Sequence, residues 1–559
     1  MLSYINFYNI ILNQLGGKEK KKYWDTMSHS GVMFAEDYNP INIPIVYDGK
    51  EIILNPEAEE AATFYVRYLN TEYVNNSKFS RNFWSDFKKL VSKELNITDF
   101  DKIDFTMIKK YIEKENEKRL NMSKEEKAKI KEEQKIKEEK YMYALIDGKK
   151  QPVGNFRIEP PGIFLGRGCH PLIGKLKKRI YPEDITINIG KGEKIPETGY
   201  KDRNWKEVIH DKNVIWLASW KENISNKTKY VFLSDKSDFK SESDKSKFEL
   251  ARKLKNKFNE IKKVNDENLK DGNEKIRQLA TALYFIENLS LRVGNEKGKD
   301  EADTVGVTSL RIEHIDLLEK NIIKLDFLGK DSIRYTKKFE VDEVVYQNLL
   351  NFTKDKYNKD DLFDKINPSE LNGYLQNFMK GLTSKVFRTM NASRLFQKEL
   401  NKISSKFDNY DKDDKLNLIL DEYMKANAKV ALLCNHQKNV NKNFKDMVSK
   451  FDKKVKDGLK KKKEFEEKKL EYKEKGKDTK SITKKINRID EIVRKLKSKK
   501  KVKIDLKNVS LGTSKINYID PRISIAFIKR HDMEIDKIFT TALQEKFTWA
   551  LDVDKDFKF

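Results

Sequence analysis

The chain has 559 residues, with 115 Lys and Arg against 89 Asp and Glu, a formal net charge of +26. Its 38% hydrophobic share, with 31 Phe and 6 Trp, excludes a wholly disordered polymer and suffices for more than one core. No run of 18 apolar residues occurs, which argues against a membrane span, and two cysteines, Cys169 and Cys434, exclude a disulfide framework.

A cationic surplus of this size calls for a polyanionic partner, and nucleic acid is the default. The plainer alternative is a lysine-biased composition with no partner. The opening "MLSYINFYNIILNQLGGKEKKK" places its lysines after the apolar run, the reverse of a secretory signal, and reads as a tail. "INIPIVYDGKEIILNP" at 41–56 alternates around Asp-Gly and predicts a hairpin, followed by a helix over "EAEEAATFYVRYL". Ser123 and Glu126 form a capping-box pattern ahead of a charged helix. Residues 156–235 mix strands with Pro and Gly turns, and a polar Ser-Asp-Lys-rich stretch at 233–247 reads as an internal break. From 248 to 438 the pattern is mainly helical, with one hairpin at "NIIKLDFLGKDSIRY".

Residues 439–503 are dominated by Lys, Glu and Asp. Their few apolar residues are spaced 4, 3, 4 at Phe444, Val448, Phe451 and Val455, then 4, 3, 4, 3 at Ile482, Ile486, Ile489, Val493 and Leu496. Those are the seams of two paired helices with a turn at Gly476, and so thin a seam predicts a protruding arm. A disordered charged linker is the competing reading. The six histidines show no paired metal-ligand spacing, "GKGEK" at 190–194 is not a phosphate loop, and "DVDKD" at 552–556 lacks the glycine and closing glutamate of a calcium loop.

Five residues in separate stretches are chemically complementary: Arg292 in "LSLRVGNEK", Lys330 in "FLGKDSIRY", Arg388 in "KVFRTMNAS", His436 in "LCNHQK" and Tyr518 in "LGTSKINYIDPR". Singly each reads as a surface ion pair or an ordinary packing residue. Together they suit phosphoryl transfer. A tyrosine hydroxyl can attack phosphorus covalently, but ionising a free phenol at pH 7 costs about 4 kcal/mol. Two arginines can favour the phenolate and bind the oxygens of the transition state. A histidine can add a hydrogen bond to those oxygens, and a lysine can protonate the departing alkoxide.

With these residues on the page, the chain resembles the eukaryotic type IB DNA topoisomerases from about Tyr23 to Phe559. The ordered set matches the family's catalytic pentad, and "SKINY" its S-K-x-x-Y signature. "EPPGIFLGRGCHP", "WKEVIHDKNVIWLASWKENI", "GNEKGKDEADTVGVTSLRIEH" and "EKFTWALD" match without obvious chemistry. Met390 stands where a tyrosine is usual, Lys438 where arginine is common, and Cys169 where asparagine is frequent. None of these removes a catalytic group.

The resemblance implies a mixed α+β fold, mainly α in its catalytic part, forming a two-lobed DNA clamp with a protruding antiparallel coiled-coil linker. It implies a tail over 1–22, a capping lobe over 23–122, the rest of that lobe and core over 123–238, and a catalytic subdomain over 239–438. The linker would cover 439–505 and the C-terminal domain 506–559. It further implies that Arg167, His170, Lys175, Asn295, Asp331, Arg334, Lys385, Asn391, Lys515 and Asn517 contact DNA. Arg167, Asp331 and Asn517 match positions around camptothecin-class inhibitors. The expected protein is a monomer acting on double-stranded DNA in the nucleus, with no cofactor, metal or membrane partner, and with the lysine run at 498–504 as a candidate import signal. A tyrosine recombinase shares the pentad chemistry but needs a base-reading module, which nothing here resembles. A non-enzymatic chromatin-binding protein would suit the charge and leave the pentad unexplained.

Overall fold

A computed structural model of the chain describes residues 21–91, 97–295, 297–298, 301–403, 412–438, 440 and 443–559. The expected N-terminal tail lies almost wholly outside them. The chain is a mixed α+β protein that divides into two compact units, one of residues 1–243 with 297–304, the other of 244–296 with 305–559. Among the described residues no helix is long and apolar enough to cross a membrane.

The first unit is built on small sheets. Strand β1 (Met27–His29) lies on the hairpin of β5 (Tyr143–Ile146) and β6 (Lys149–Pro152). Strands β2 (Ile45–Tyr47) and β3 (Lys50–Ile52) are joined through Asp48 (φ 50°) and Gly49 (φ 79°), both left-handed as a tight Asp-Gly hairpin turn requires. Strand β4 (Ile103–Asp104) extends that sheet, β7 (Gly162–Ile163) pairs with β8 (Leu176–Lys177), and a four-stranded sheet runs β10 (Glu207–Ile209), β9 (Ile185–Asn188), β11 (Ala218–Lys221), β12 (Thr228–Val231). Helices α1 (Pro56–Val66), α2 (Ser77–Val91) and α3 (Thr106–Asn121) enclose an aromatic core of Tyr65, Phe79, Phe83, Phe87 and Phe105. Helix α4 (Lys124–Glu139) starts at the predicted capping box. Glu126 N donates to Ser123 Oγ at 3.0 Å and Ser123 N donates to Glu126 Oε2 at 2.7 Å.

The division between the two units, after residue 243, falls inside the polar 233–247 stretch read as an internal break, and helix α5 (Asp238–Asn268) begins within that stretch.

The second unit packs α5, α6 (Glu274–Leu289), α7 (Glu343–Thr353), α8 (Pro368–Phe378), α9 (Ser384–Asn401) and α10 (Lys412–Leu433) around one large core. Its sheet has three strands rather than the two read as a hairpin: β13 (Ile315–Leu318), β14 (Ile322–Leu328) and β15 (Arg334–Glu340). Helices α11 (Phe444–Glu474) and α12 (Lys480–Asp505) flank Gly476 (φ 63°) and pack antiparallel. Ile482, Ile486 and Val493 are buried in their seam, and Lys462 pairs with Asp490 at 2.8 Å across it. A Cβ at Gly458 would stand 2.8 Å from Val493, so glycine there permits the close approach. Three short helices complete the unit, α13 (Leu511–Asn517), α14 (Pro521–Arg530) and α15 (Thr541–Lys546).

Candidate active site

Arg388 sits in the second turn of α9, 4% exposed. A guanidinium at that depth must be hydrogen-bonded. Its Nη1 donates to the Ser290 carbonyl and its Nη2 to the Cys434 carbonyl at 2.9 Å. Ser290 offers its carbonyl because it ends α6 in the left-handed conformation (φ 53°). Asn391, one turn further along α9, donates from Nδ2 to the Glu287 carbonyl at 2.7 Å and to Ser290 Oγ at 3.0 Å. The α6 C-terminus is thereby tied to α9, and the chain continues directly into Arg292.

Arg292 is placed by a close backbone crossing. Val307 N donates to its carbonyl at 2.9 Å and Thr308 N to that of Val293 at 2.8 Å. The approach needs glycine: a Cβ on Gly306 would fall 2.4 Å from Gly294 N and 2.8 Å from Arg292 O. Lys330 comes from the tip of β14 and β15, where Asp331 (φ 66°) and Ser332 (φ 57°) are both left-handed. Gly329 N donates to the Ile333 carbonyl at 2.9 Å and closes that tip. Lys330 is exposed there.

His436 follows α10 after Asn435 (φ 51°). Its carbonyl accepts from Ser510 N at 2.8 Å, and Gln437 bridges to Val509, which registers this segment against the start of α13. Tyr518 lies at the end of α13, its N donating to the Ser514 carbonyl at 3.0 Å. Its own carbonyl accepts from Ser393 Oγ at 3.1 Å, and that hydroxyl accepts in turn from Asp520 N at 3.0 Å. The Tyr518 ring is 5.2 Å from the His436 ring and 5.0 Å from the Arg388 guanidinium carbon.

The five predicted residues come from stretches as far as 226 positions apart (518 minus 292), and the Tyr518 ring, not itself among the lining residues, packs against two that line a shared cavity, His436 and Arg388. Arg292, Lys330, Arg388 and His436 line one open cavity with Asp331, Tyr335, Asn435, Gln437 and Thr513. Burial, together with the positive charge of Arg388 and Arg292, pushes the His436 imidazole down to about 3, so its neutral form prevails at neutral pH. Two buried polar atoms of this group, Arg388 Nε and His436 Nε2, have no hydrogen-bond partner among the described residues.

Residues 22–233 match the family described as eukaryotic DNA topoisomerase I, DNA binding fragment, and residues 236–470 match eukaryotic DNA topoisomerase I, catalytic core. Residues 490–559 match the C-terminal topoisomerase domain. The chain is 42% identical to DNA topoisomerase 1 of Homo sapiens across 96% of its own length and 72% of the relative's. For DNA topoisomerase 1 of Caenorhabditis elegans the figures are 43%, 96% and 68%. The chain belongs to the eukaryotic DNA topoisomerase I family. DNA topoisomerase 1 beta of Arabidopsis thaliana is 43% identical over 99% of the chain, which spans 61% of that relative's length.

The remaining positions that the resemblance to this family singles out are placed unevenly. Asp331 lines the cavity; Lys385, Asn295 and Asn517 are exposed, Asn517 donating back to the Thr513 carbonyl at 3.2 Å. Asn391 is turned inward to the α6 terminus, as described above. Arg334 is exposed but its fork is taken by Asp326, with both bonds at 2.7 Å, which hold the Asp326 carboxyl down to about 2. Lys515 departs most from a DNA contact. Its Nζ donates to the Ile538 carbonyl at 2.7 Å between the rings of Tyr423 and Phe539, and burial pushes it down to about 8. In the first unit, Arg167 stands between Gly166 (φ 61°) and Gly168 (φ 58°), and His170 Nδ1 accepts from Leu172 N at 3.2 Å. Lys175 pairs with Asp86 at 2.9 Å.

Sequence reasoning assigned no role to Ser514, whose Oγ is 2.7 Å from His436 Nδ1, or to Ser393. Ser514 stood inside the matched "SKINY", whereas Ser393 carried no signal, since a serine in a helix is unremarkable until its partner is known.

Proposed function

We propose that this protein is a type IB DNA topoisomerase, which relaxes supercoiled duplex DNA by transient cleavage of one strand. The observation that carries this reading is the cavity itself, where two guanidinium groups, an ammonium and a neutral imidazole meet beside one tyrosine ring. Tyr518 Oη gives up its proton to solvent and attacks phosphorus, the bond to the 5′ oxygen breaks, and a 3′-phosphotyrosine forms. Arg292 and Arg388 hold the charge that develops on the non-bridging oxygens. The partnerless Arg388 Nε and His436 Nε2 supply hydrogen-bonding capacity that a phosphate oxygen would satisfy. His436, being neutral, contributes a hydrogen bond rather than a charge or a proton. Lys330 protonates the departing 5′ oxygen.

The ester bond is conserved in the phosphotyrosine, so the free 5′-hydroxyl reverses the reaction after the duplex has swivelled, without ATP or metal. The surplus of +26 suits a protein that binds a polyanion, acting on chromosomal DNA in the nucleus. Asp331 at the cavity edge supports the expected sensitivity to camptothecin-class inhibitors, read as cleavage complexes that persist when the drug is added.

The test is relaxation of supercoiled plasmid in EDTA without ATP. Products spaced by one linking number support the proposal, and mass spectrometry of the trapped adduct should find Tyr518 on a 3′ end. Recombined products between two sites would replace it with a strand transferase, and retardation without relaxation would reduce the protein to a DNA-binding one.

A further inference from the structure

We propose that Ser514 is a positioning residue that holds the His436 ring with its proton on Nε2, so that the histidine presents a donor to the cavity. This rests on the proposed reaction, in which that donor meets a phosphate oxygen.

Where each buried hydrogen can find an acceptor decides the tautomer. Ser514 is fully buried and His436 is 6% exposed. Among the described residues, their mutual contact at 2.7 Å is the only side-chain hydrogen bond either group makes. A neutral imidazole has one N–H and one lone pair, and a hydroxyl has one hydrogen. If the serine donates to Nδ1, the hydrogen left unpaired is the Nε2–H, on a ring that lines the cavity, where a phosphate oxygen can accept it. If Nδ1–H donates to Oγ instead, the unpaired hydrogen is the hydroxyl's, on a serine that is fully buried and does not line the cavity. A buried donor without an acceptor costs about 1–3 kcal/mol, and only the first arrangement leaves that donor within reach of a ligand, so the first prevails. The imidazole's low pKa keeps the ring neutral and so keeps the choice between two neutral tautomers.

The placement of Ser514 adds a second consequence. It precedes Tyr518 by one helical turn and accepts the Tyr518 and Ile519 amides on its own carbonyl, both at 3.0 Å. The turn that carries the nucleophile therefore also carries the group that sets the histidine's proton. His436 takes its working tautomer when α13 is seated.

The experiment uses the full chain labelled with 15N-histidine and two-bond proton–nitrogen correlation spectra, with His436 assigned through His436→Gln. The wild-type ring should be protonated on Nε2. Ser514→Ala should move it to a mixture or to Nδ1–H, and Ser514→Thr, which keeps the hydroxyl, should restore it. Single-turnover cleavage of a suicide oligonucleotide should fall about tenfold or more in Ser514→Ala and recover in Ser514→Thr, with noncovalent DNA affinity unchanged. A wild-type ring protonated on Nδ1, a tautomer indifferent to Ser514→Ala, or a tautomer shift without loss of rate would each overturn the proposal. Failure of the wild-type chain to form any adduct would overturn the proposed reaction instead, while the spectra would still decide where the proton resides.

Discussion

The inner wall of the cavity and the tip of the β14–β15 hairpin contribute to the same site but are built differently. On the inner side, Arg388 and His436, which line the cavity, and Tyr518, whose ring packs against them, are each no more than 6% exposed, and every one is tethered by named hydrogen bonds to a neighbouring segment. At the tip, Lys330 and Asp331 are exposed where the chain turns through two successive left-handed residues, Asp331 and Ser332. The difference suits the work proposed for each. Charge that stabilises a transition state must already be in place, because reorganising it during the reaction would consume the advantage. A proton donor to a leaving oxygen needs reach more than rigidity. The inner wall should therefore couple activity to stability, and the tip should not.

The largest expected effect is that of Tyr518→Phe, which should lower relaxation by about 10⁴-fold or more while DNA affinity in a filter-binding assay stays near wild type. Relaxation by that variant would remove the nucleophile from the inner wall altogether. Lys330→Ala should slow single-turnover cleavage by about 10²–10⁴-fold with stability within about 0.5 kcal/mol. Arg388→Ala should slow cleavage by about 10²–10³-fold and also lower stability by about 3 kcal/mol, since two buried carbonyls lose their donor. Equal urea midpoints for these two variants would erase the contrast between wall and tip.

Smaller effects sharpen it. Lys515→Ala should destabilise by about 1–3 kcal/mol, losing a buried hydrogen bond and its place between two rings, yet leave the salt dependence of DNA binding unaltered. A reduced salt slope would return Lys515 to the DNA surface. Glu287, on α6 just before Ser290, is pushed up to about 7 chiefly by burial. Between its ordinary value near 4.5 and 7 the folded chain keeps a proton that the unfolded chain has released, so stability falls as pH rises through that window. Glu287→Gln should remove this loss, with a gain on the order of 2 kcal/mol at pH 8 and little below pH 4.5, measured by urea unfolding.

What could be read from the linear chain was whatever neighbouring residues settle between themselves. The Asp48-Gly49 turn, the Ser123–Glu126 capping box and the two heptad seams each depend on partners within a few positions, and each element stands where its pattern pointed. Arg292, Lys330, Arg388, His436 and Tyr518 were legible for another reason, because they match a known family in order and type. Their grouping is a matter of packing. So are the features the linear chain did not show: a helix that begins at Asp238, a third strand at Ile315–Leu318, and the inward turn of Lys515 toward Ile538.

Whether a cation faces solvent or a carbonyl depends on chain far away in sequence. Lys515 meets Ile538, Arg388 meets Ser290 and Cys434, and Ser514 meets a histidine 78 positions earlier. Local spacing carries the helix, the turn and the cap because backbone hydrogen bonds and side-chain reach act over a few residues. Burial, the neutral state of His436 and the partners of its two nitrogens came only from segments folded against one another, since desolvation and long-range contact have no counterpart in an extended chain.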